Sequence, residues 1–157
     1  MASPTSRTLD WLRKQGLEAD VVERWIPRAF IRKDLFGIID IVSAGQGLPI
    51  AGWQATATGC LSARVKKAMA EPRLIEWLKS GGRFYCIGWA LRGKAGKKKV
   101  WTPKVIRFQW FYPDPKGTTQ FEAYMDVREV SDHSDLCMCI DCMPTQKDEE
   151  DDQVCGI

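Results

Sequence analysis

The stretch DLFGIIDIVSAGQGLPIAGWQAT, residues 34–56, constrains the fold of this chain more than any other. Two apolar runs, GIIDIV and IAGWQATA, are joined by SAGQGLP, whose glycines and proline signal a turn. They read as strands 38–42 and 50–57 of an antiparallel hairpin centred on Gly47, with Asp40 directly opposite Gln54. Side chains alternate with period two and opposed residues project to the same side, so Asp40, Gln54 and Thr56 share one face. A carboxylate inside an apolar strand is costly to bury unless it is paired, hydrogen-bonded or bound to metal. Two readings follow. Either a site is built here, or the hairpin is plain, with Asp40 at an edge and Gln54 and Thr56 bonded across the sheet.

The elements around the hairpin set the fold class. TSRTLDWLRKQG places Leu9, Trp11 and Leu12 on a helical stripe, with Thr5 or Ser6 as cap and Gly16 as stop. EADVVERWI reads as a strand ended by Pro27, and the basic stretch RAFIRK follows it. SARVKKAMAEPRLIEWLKSGG reads as a helix capped by Ser62, interrupted at Pro72 and ended by Gly81–Gly82. RFYCIGWAL and VWTPKVIRFQWF are strands, the second with a bulge or edge at Pro103, and TTQFEAYMDVREV alternates like another. The order α-β-β-β-α-β-β predicts an α/β (α+β) domain, a mixed β-sheet flanked by helices.

Charge divides the chain. Residues 1–131 hold 22 Lys+Arg against 12 Asp+Glu, whereas residues 132–157 hold one lysine against eight acids. The sequence therefore reads as a basic domain, 1–131, followed by an acidic, cysteine-containing tail, 132–157. A basic body suits a polyanion, nucleic acid first, although many domains carry such an excess and bind none. No apolar run approaches the roughly 20 residues needed to span a bilayer, and the N-terminus lacks the apolar core of a signal peptide. The expectation is a cytoplasmic protein with no membrane partner and no disulfide framework. Cys60 and Cys86 are expected as free core thiols, and Trp53, Trp77, Trp89, Trp101 and Trp110 as core aromatics.

The order helix, strand, hairpin, helix, strand, with DLFGIIDIV and GWQAT on the hairpin, resembles the PD-(D/E)XK nuclease superfamily. Within it the chain is most similar to the Holliday junction resolvase-like and VRR-NUC-like branch. The resemblance spans roughly residues 6–90. It implies an αβββαβ restriction-endonuclease-like core and a Mg²⁺- or Mn²⁺-dependent DNA endonuclease, one that hydrolyses phosphodiesters in branched DNA and works as a homodimer. Asp40 would be the central metal ligand, Gln54 would stand at the second acidic position, the Ala55 carbonyl would be a third ligand, and Asp34 would enter from the preceding loop. Asp10 falls near an accessory acid. The departure is Thr56, which stands where a catalytic lysine belongs and cannot supply a cation. Lys33, Arg64 or Lys67 would have to replace it. The alternative implied by this departure is a catalytically inactive nuclease fold that binds nucleic acid.

Arg28, Arg32 and Lys33, ahead of the hairpin, and Lys97, Lys98 and Lys99, in RGKAGKKK, are candidate phosphate contacts, or else solvated turns. In the tail, His133, Cys137, Cys139 and Cys142, with Cys155 further on, could ring a Zn²⁺. Their C-x-C-x-x-C spacing is not the paired pattern of a structural zinc site, and a flexible acidic tail accounts for it as well.

Overall fold

The computed structural model describes residues 2–29, 31–111 and 124–130. The cysteine-containing tail, with its zinc candidates, lies outside the described residues.

Helix α1, Pro4–Lys14, comes first. Its cap is Ser3, whose hydroxyl accepts from the Ser6 N–H at 3.1 Å, rather than Thr5 or Ser6. Pro4 explains the displacement, because proline is best tolerated in the first helical turn and so places the cap just before itself. Strand β1, Glu18–Val21, follows. The run expected as one strand, 18–26, breaks at Val22 and Glu23, and Arg24–Ile26 becomes β2, paired antiparallel with β3, Ile31–Lys33, in a separate two-stranded sheet.

Strands β4, Ile41–Gly45, and β5, Leu48–Ala57, form the expected hairpin. Ile41 faces Trp53, Val42 faces Gly52 and Ser43 faces Ala51, which is the register read from the sequence. The turn is narrower than SAGQGLP. Gln46 and Gly47 both have positive φ, 55° and 71°, as in the two-residue turns that match strand twist, and one irregularity falls between Ser43 and Gly45.

After the 3₁₀ turn Thr58–Cys60 come α2, Leu61–Met69, and α3, Pro72–Lys79. Pro72 divides them as expected and occupies the start of α3, capped by Glu71. Ser62 lies inside α2 and does not cap it. Strands β6, Arg83–Arg92, β7, Val100–Phe111, and β8, Tyr124–Val130, complete the sheet. Its order is β1-β4-β5-β6-β7-β8, with β5 and β6 parallel and every other pair antiparallel. The β6–β7 ladder runs unbroken through Pro103, which pairs with Trp89, so the proline makes no bulge there.

The alternation of the strands divides the core in two. Ile41, Trp53, Ala55, Tyr85 and Ile87 pack with Leu12 of α1 on one face of the sheet. Phe84, Cys86 and Phe108 pack with Leu61, Ala68, Leu74 and Leu78 of α2 and α3 on the other. Trp53 is fully buried, stacks on Tyr85 at 4.3 Å and donates its indole N–H to Ser43 at 2.9 Å. Thr8 ties α1 to the sheet by accepting from the Trp89 indole at 2.9 Å. Two expectations fail here. Trp101 is 38% exposed beneath the Arg7 guanidinium, and Cys60, in the 3₁₀ turn, is exposed. Among the described residues no helix is long and apolar enough to cross a membrane.

Candidate functional site

The segment Asp34–Asp40 is not the opening of a strand. Leu35 and Ile39 form an isolated antiparallel bridge and exchange both backbone hydrogen bonds at 3.0 Å. Between them Phe36 and Gly37 take positive φ, 56° and 74°, which is uncommon for a bulky residue such as Phe. Tertiary contacts hold the turn. Arg73 of α3 donates to the Phe36 carbonyl at 3.0 Å, the Phe36 ring meets Trp77 edge-on at 6.3 Å, and Ile38 and Ile39 are buried under α2 and α3. The consequence is chemical. A closed loop brings its flanking residues, Asp34 and Asp40, side by side.

Asp40 sits one residue before β4. Its N–H donates to the Trp53 carbonyl at 2.9 Å and its carbonyl accepts from Val22 at 2.8 Å, so its backbone is pinned between β5 and the chain leaving β1. Beyond Trp53 the β4–β5 ladder ends and the Asp40 side chain continues it. Oδ2 accepts the Ala55 N–H at 2.9 Å and the Gln54 amide N–H at 2.6 Å. The expected Asp40–Gln54 opposition is therefore realised as a direct bond. Gln54, only 2% exposed, makes this bond through its amide nitrogen. Thr56 is buried at 7% on the same side of β5.

Asp34, Asp40, Gln54, Ala55 and Arg64 line one open cleft of about 470 Å³, walled on the far side by Ser3, Thr5 and Ser6 of the α1 start. Burial pushes the Asp40 carboxyl up from 3.8 to about 6. The Ala55 N–H opposes this, the Asp34 charge adds to it, and Gln54 and Arg64 pull it down. Burial and Asp40 together push the Cys86 thiol, across from Gln54 in the β5–β6 register, up to about 12.

Of the three cations weighed as replacements for the missing lysine, Arg64 of α2 is the one that lines the cleft; Lys33 and Lys67 are exposed and do not. Asp10 is exposed on α1, also away from the cleft lining. Arg28 is exposed in the β2–β3 turn, and Arg32 lies in β3 opposite Trp25. Lys97, Lys98 and Lys99 are exposed in the β6–β7 loop, whose base at Arg92 is six residues along β6 from Cys86, about 20 Å. Two contributors were missed in the sequence. Glu23 lines the cleft because the 18–26 run breaks there, and the hydroxyl wall of α1 arrives only through packing. Neither leaves a local signal.

Among the described residues no three Asp, Glu, His or Cys side chains gather closely enough to hold a metal ion. The oxygen donors that line the one cleft belong to Asp34, Asp40 and Ala55, and the Asp40 oxygen bonded to Gln54 and to the Ala55 N–H is Oδ2, not Oδ1. Two carboxylates and a carbonyl fit Mg²⁺, which keeps several waters and uses few protein oxygens. No protein-family model matches the chain, and no curated protein or solved structure matches it.

Proposed function

We propose that the cleft at Asp40 is the active centre of a Mg²⁺- or Mn²⁺-dependent DNA endonuclease that hydrolyses phosphodiester bonds, with branched DNA as its preferred structure. One observation carries this reading. Asp34 and Asp40, at the two ends of one closed loop, share an open cleft with Arg64 of α2 at the point where the central hairpin parts. Asp34, Asp40 Oδ1 and the Ala55 carbonyl are the oxygens that would hold the metal, which when bound lowers the pKa of a coordinated water and polarises the phosphoryl oxygen. Gln54 and the Ala55 N–H fix the Asp40 carboxylate so that its free oxygen keeps one orientation. Arg64 takes the place of the lysine that Thr56 does not provide, its guanidinium facing the charge that develops on the phosphate. The basic balance of residues 1–131 draws the polyanion in.

The test is cleavage of branched, single-stranded and duplex DNA by purified protein with Mg²⁺ or Mn²⁺. Asp40→Ala should abolish cleavage. Arg64→Ala should slow it about 10²–10³-fold, with Arg64→Lys retaining part of the rate. Cleavage that survives Asp40→Ala belongs to a contaminant and ends the proposal.

A second reading, a nuclease-like fold that binds nucleic acid without cutting it, is favoured by the buried Thr56 where a lysine is expected and by the small number of clustered acids. DNA binding in EDTA, with no cleavage when either metal is added, selects it.

A further inference from the structure

Among the described residues the β2–β3 hairpin lies outside the main sheet, and its two strands pair with each other alone. Both of its ends enter the cleft wall. Val21 and Glu23, just before β2, and Asp34, just after β3, all line the cleft. An isolated pair of three-residue strands is marginal in water, so this arm is poorly explained as a folding element. Its composition is also unusual for one. RWIPRAFIRK carries four cations and no acid. Arg24 lies directly opposite Lys33, and like charges placed so are destabilising unless an anion offsets them. Trp25 is 50% exposed and Ile31 is 52% exposed. A broad aromatic face among cations, beside a cleft read as a phosphodiesterase centre, complements a polymer that offers both phosphates and flat bases.

We propose that the β2–β3 hairpin is a nucleic-acid arm that stacks an unpaired base on Trp25 next to the scissile phosphate, while Arg24, Arg28 and Lys33 take flanking phosphates. The substrate class is accordingly nucleic acid with single-stranded bases at or beside the cut, such as a fork, flap or junction. The location of the cut rests on the nuclease reading; the binding does not. An intact duplex keeps its bases stacked within the helix, so only unpaired bases are open to an aromatic platform. A second copy of the chain is a poor occupant, because two arms of four cations each repel one another.

The experiment measures the affinity of the full chain, in EDTA so that nothing is cut, for a fluorescent single-stranded oligonucleotide, a blunt duplex and a duplex with a single-stranded flap. Trp25→Ala should weaken binding of the single strand and the flap about 5- to 150-fold, matching the stacking contribution of one base, and change blunt-duplex binding less than about twofold. Trp25→Phe should restore most of the loss, and Arg24→Ala with Lys33→Ala should weaken all three ligands and flatten the salt dependence. Trp25 is half-exposed, so its variants should keep the wild-type melting temperature. Unchanged single-strand binding in Trp25→Ala overturns the proposal, as does an equal loss on all three ligands, or a dimer that Trp25→Ala dissolves. Trp25-dependent binding in a protein that never cleaves supports the arm and removes the nuclease reading, so the two fail separately.

Discussion

Replacing Asp40 by asparagine should make the protein more stable at neutral pH. Burial is the main cause that lifts this carboxyl from 3.8 to about 6, and the neighbouring Asp34 adds to it. An acid whose folded pKa lies above its unfolded value holds its proton more tightly in the folded state. Stability is then highest below 3.8, declines as pH rises towards about 6, and remains lowered above that. The displacement is equivalent to about 3 kcal/mol of disfavoured charge. The cleft is open to water, which screens the charge and reduces the expected penalty to about 1–2 kcal/mol. Asparagine keeps the shape, and its oxygen can accept the same two N–H donors, Gln54 at 2.6 Å and Ala55 at 2.9 Å, without the charge. Urea unfolding in EDTA, at about pH 4 and about pH 8, reads the effect. Asp40→Asn should gain about 1–2 kcal/mol at the higher pH and almost nothing at the lower. Mg²⁺ should raise the midpoint of the wild type at the higher pH and leave the variant unmoved. A variant less stable than the wild type at the higher pH, or equally stabilised at both, would refute the reasoning, because the effect would then lie in packing and not in charge.

Gly37→Ala places a Cβ at φ 74° with no atom within 4 Å, so its cost is conformational. It should destabilise by about 1–2 kcal/mol in thermal melts and reduce any cleavage, since the Asp34–Asp40 loop closes through this residue. Thr8→Val keeps the volume but strands the buried Trp89 indole N–H that the hydroxyl serves at 2.9 Å, and chemical denaturation should show a loss of about 1–3 kcal/mol. Alkylation of the native protein, mapped by mass spectrometry, should label Cys60, which is exposed, and spare Cys86, which is fully buried with its thiol pushed up to about 12.

Much of the framework was determined by the sequence by itself, and for local reasons. The β4–β5 register followed from period-two alternation about a Gly-containing turn, because a slip of one residue would turn every apolar side chain outward. The mixed sheet followed from the order of elements, since a helical crossover between β5 and β6 forces them parallel. Pro72 divided two helices because it carries no N–H. What the tertiary structure decided is which residues share the cleft. The DLFGIID segment is a closed loop and not a strand start, because Arg73, Trp77 and the α2–α3 core hold Phe36 at a backbone angle that no local preference would select. The 18–26 run became two strands because β1 runs along β4 only as far as Val21, whose partner is Ile41, and the chain then turns out to pair with β3. Arg64, rather than Lys33 or Lys67, reached the cleft because the register of α2 on the sheet turns that residue inward. Periodicity reports which face of an element is buried. It does not report which polar groups of distant elements meet, because that is set by how the elements pack and not by any one of them.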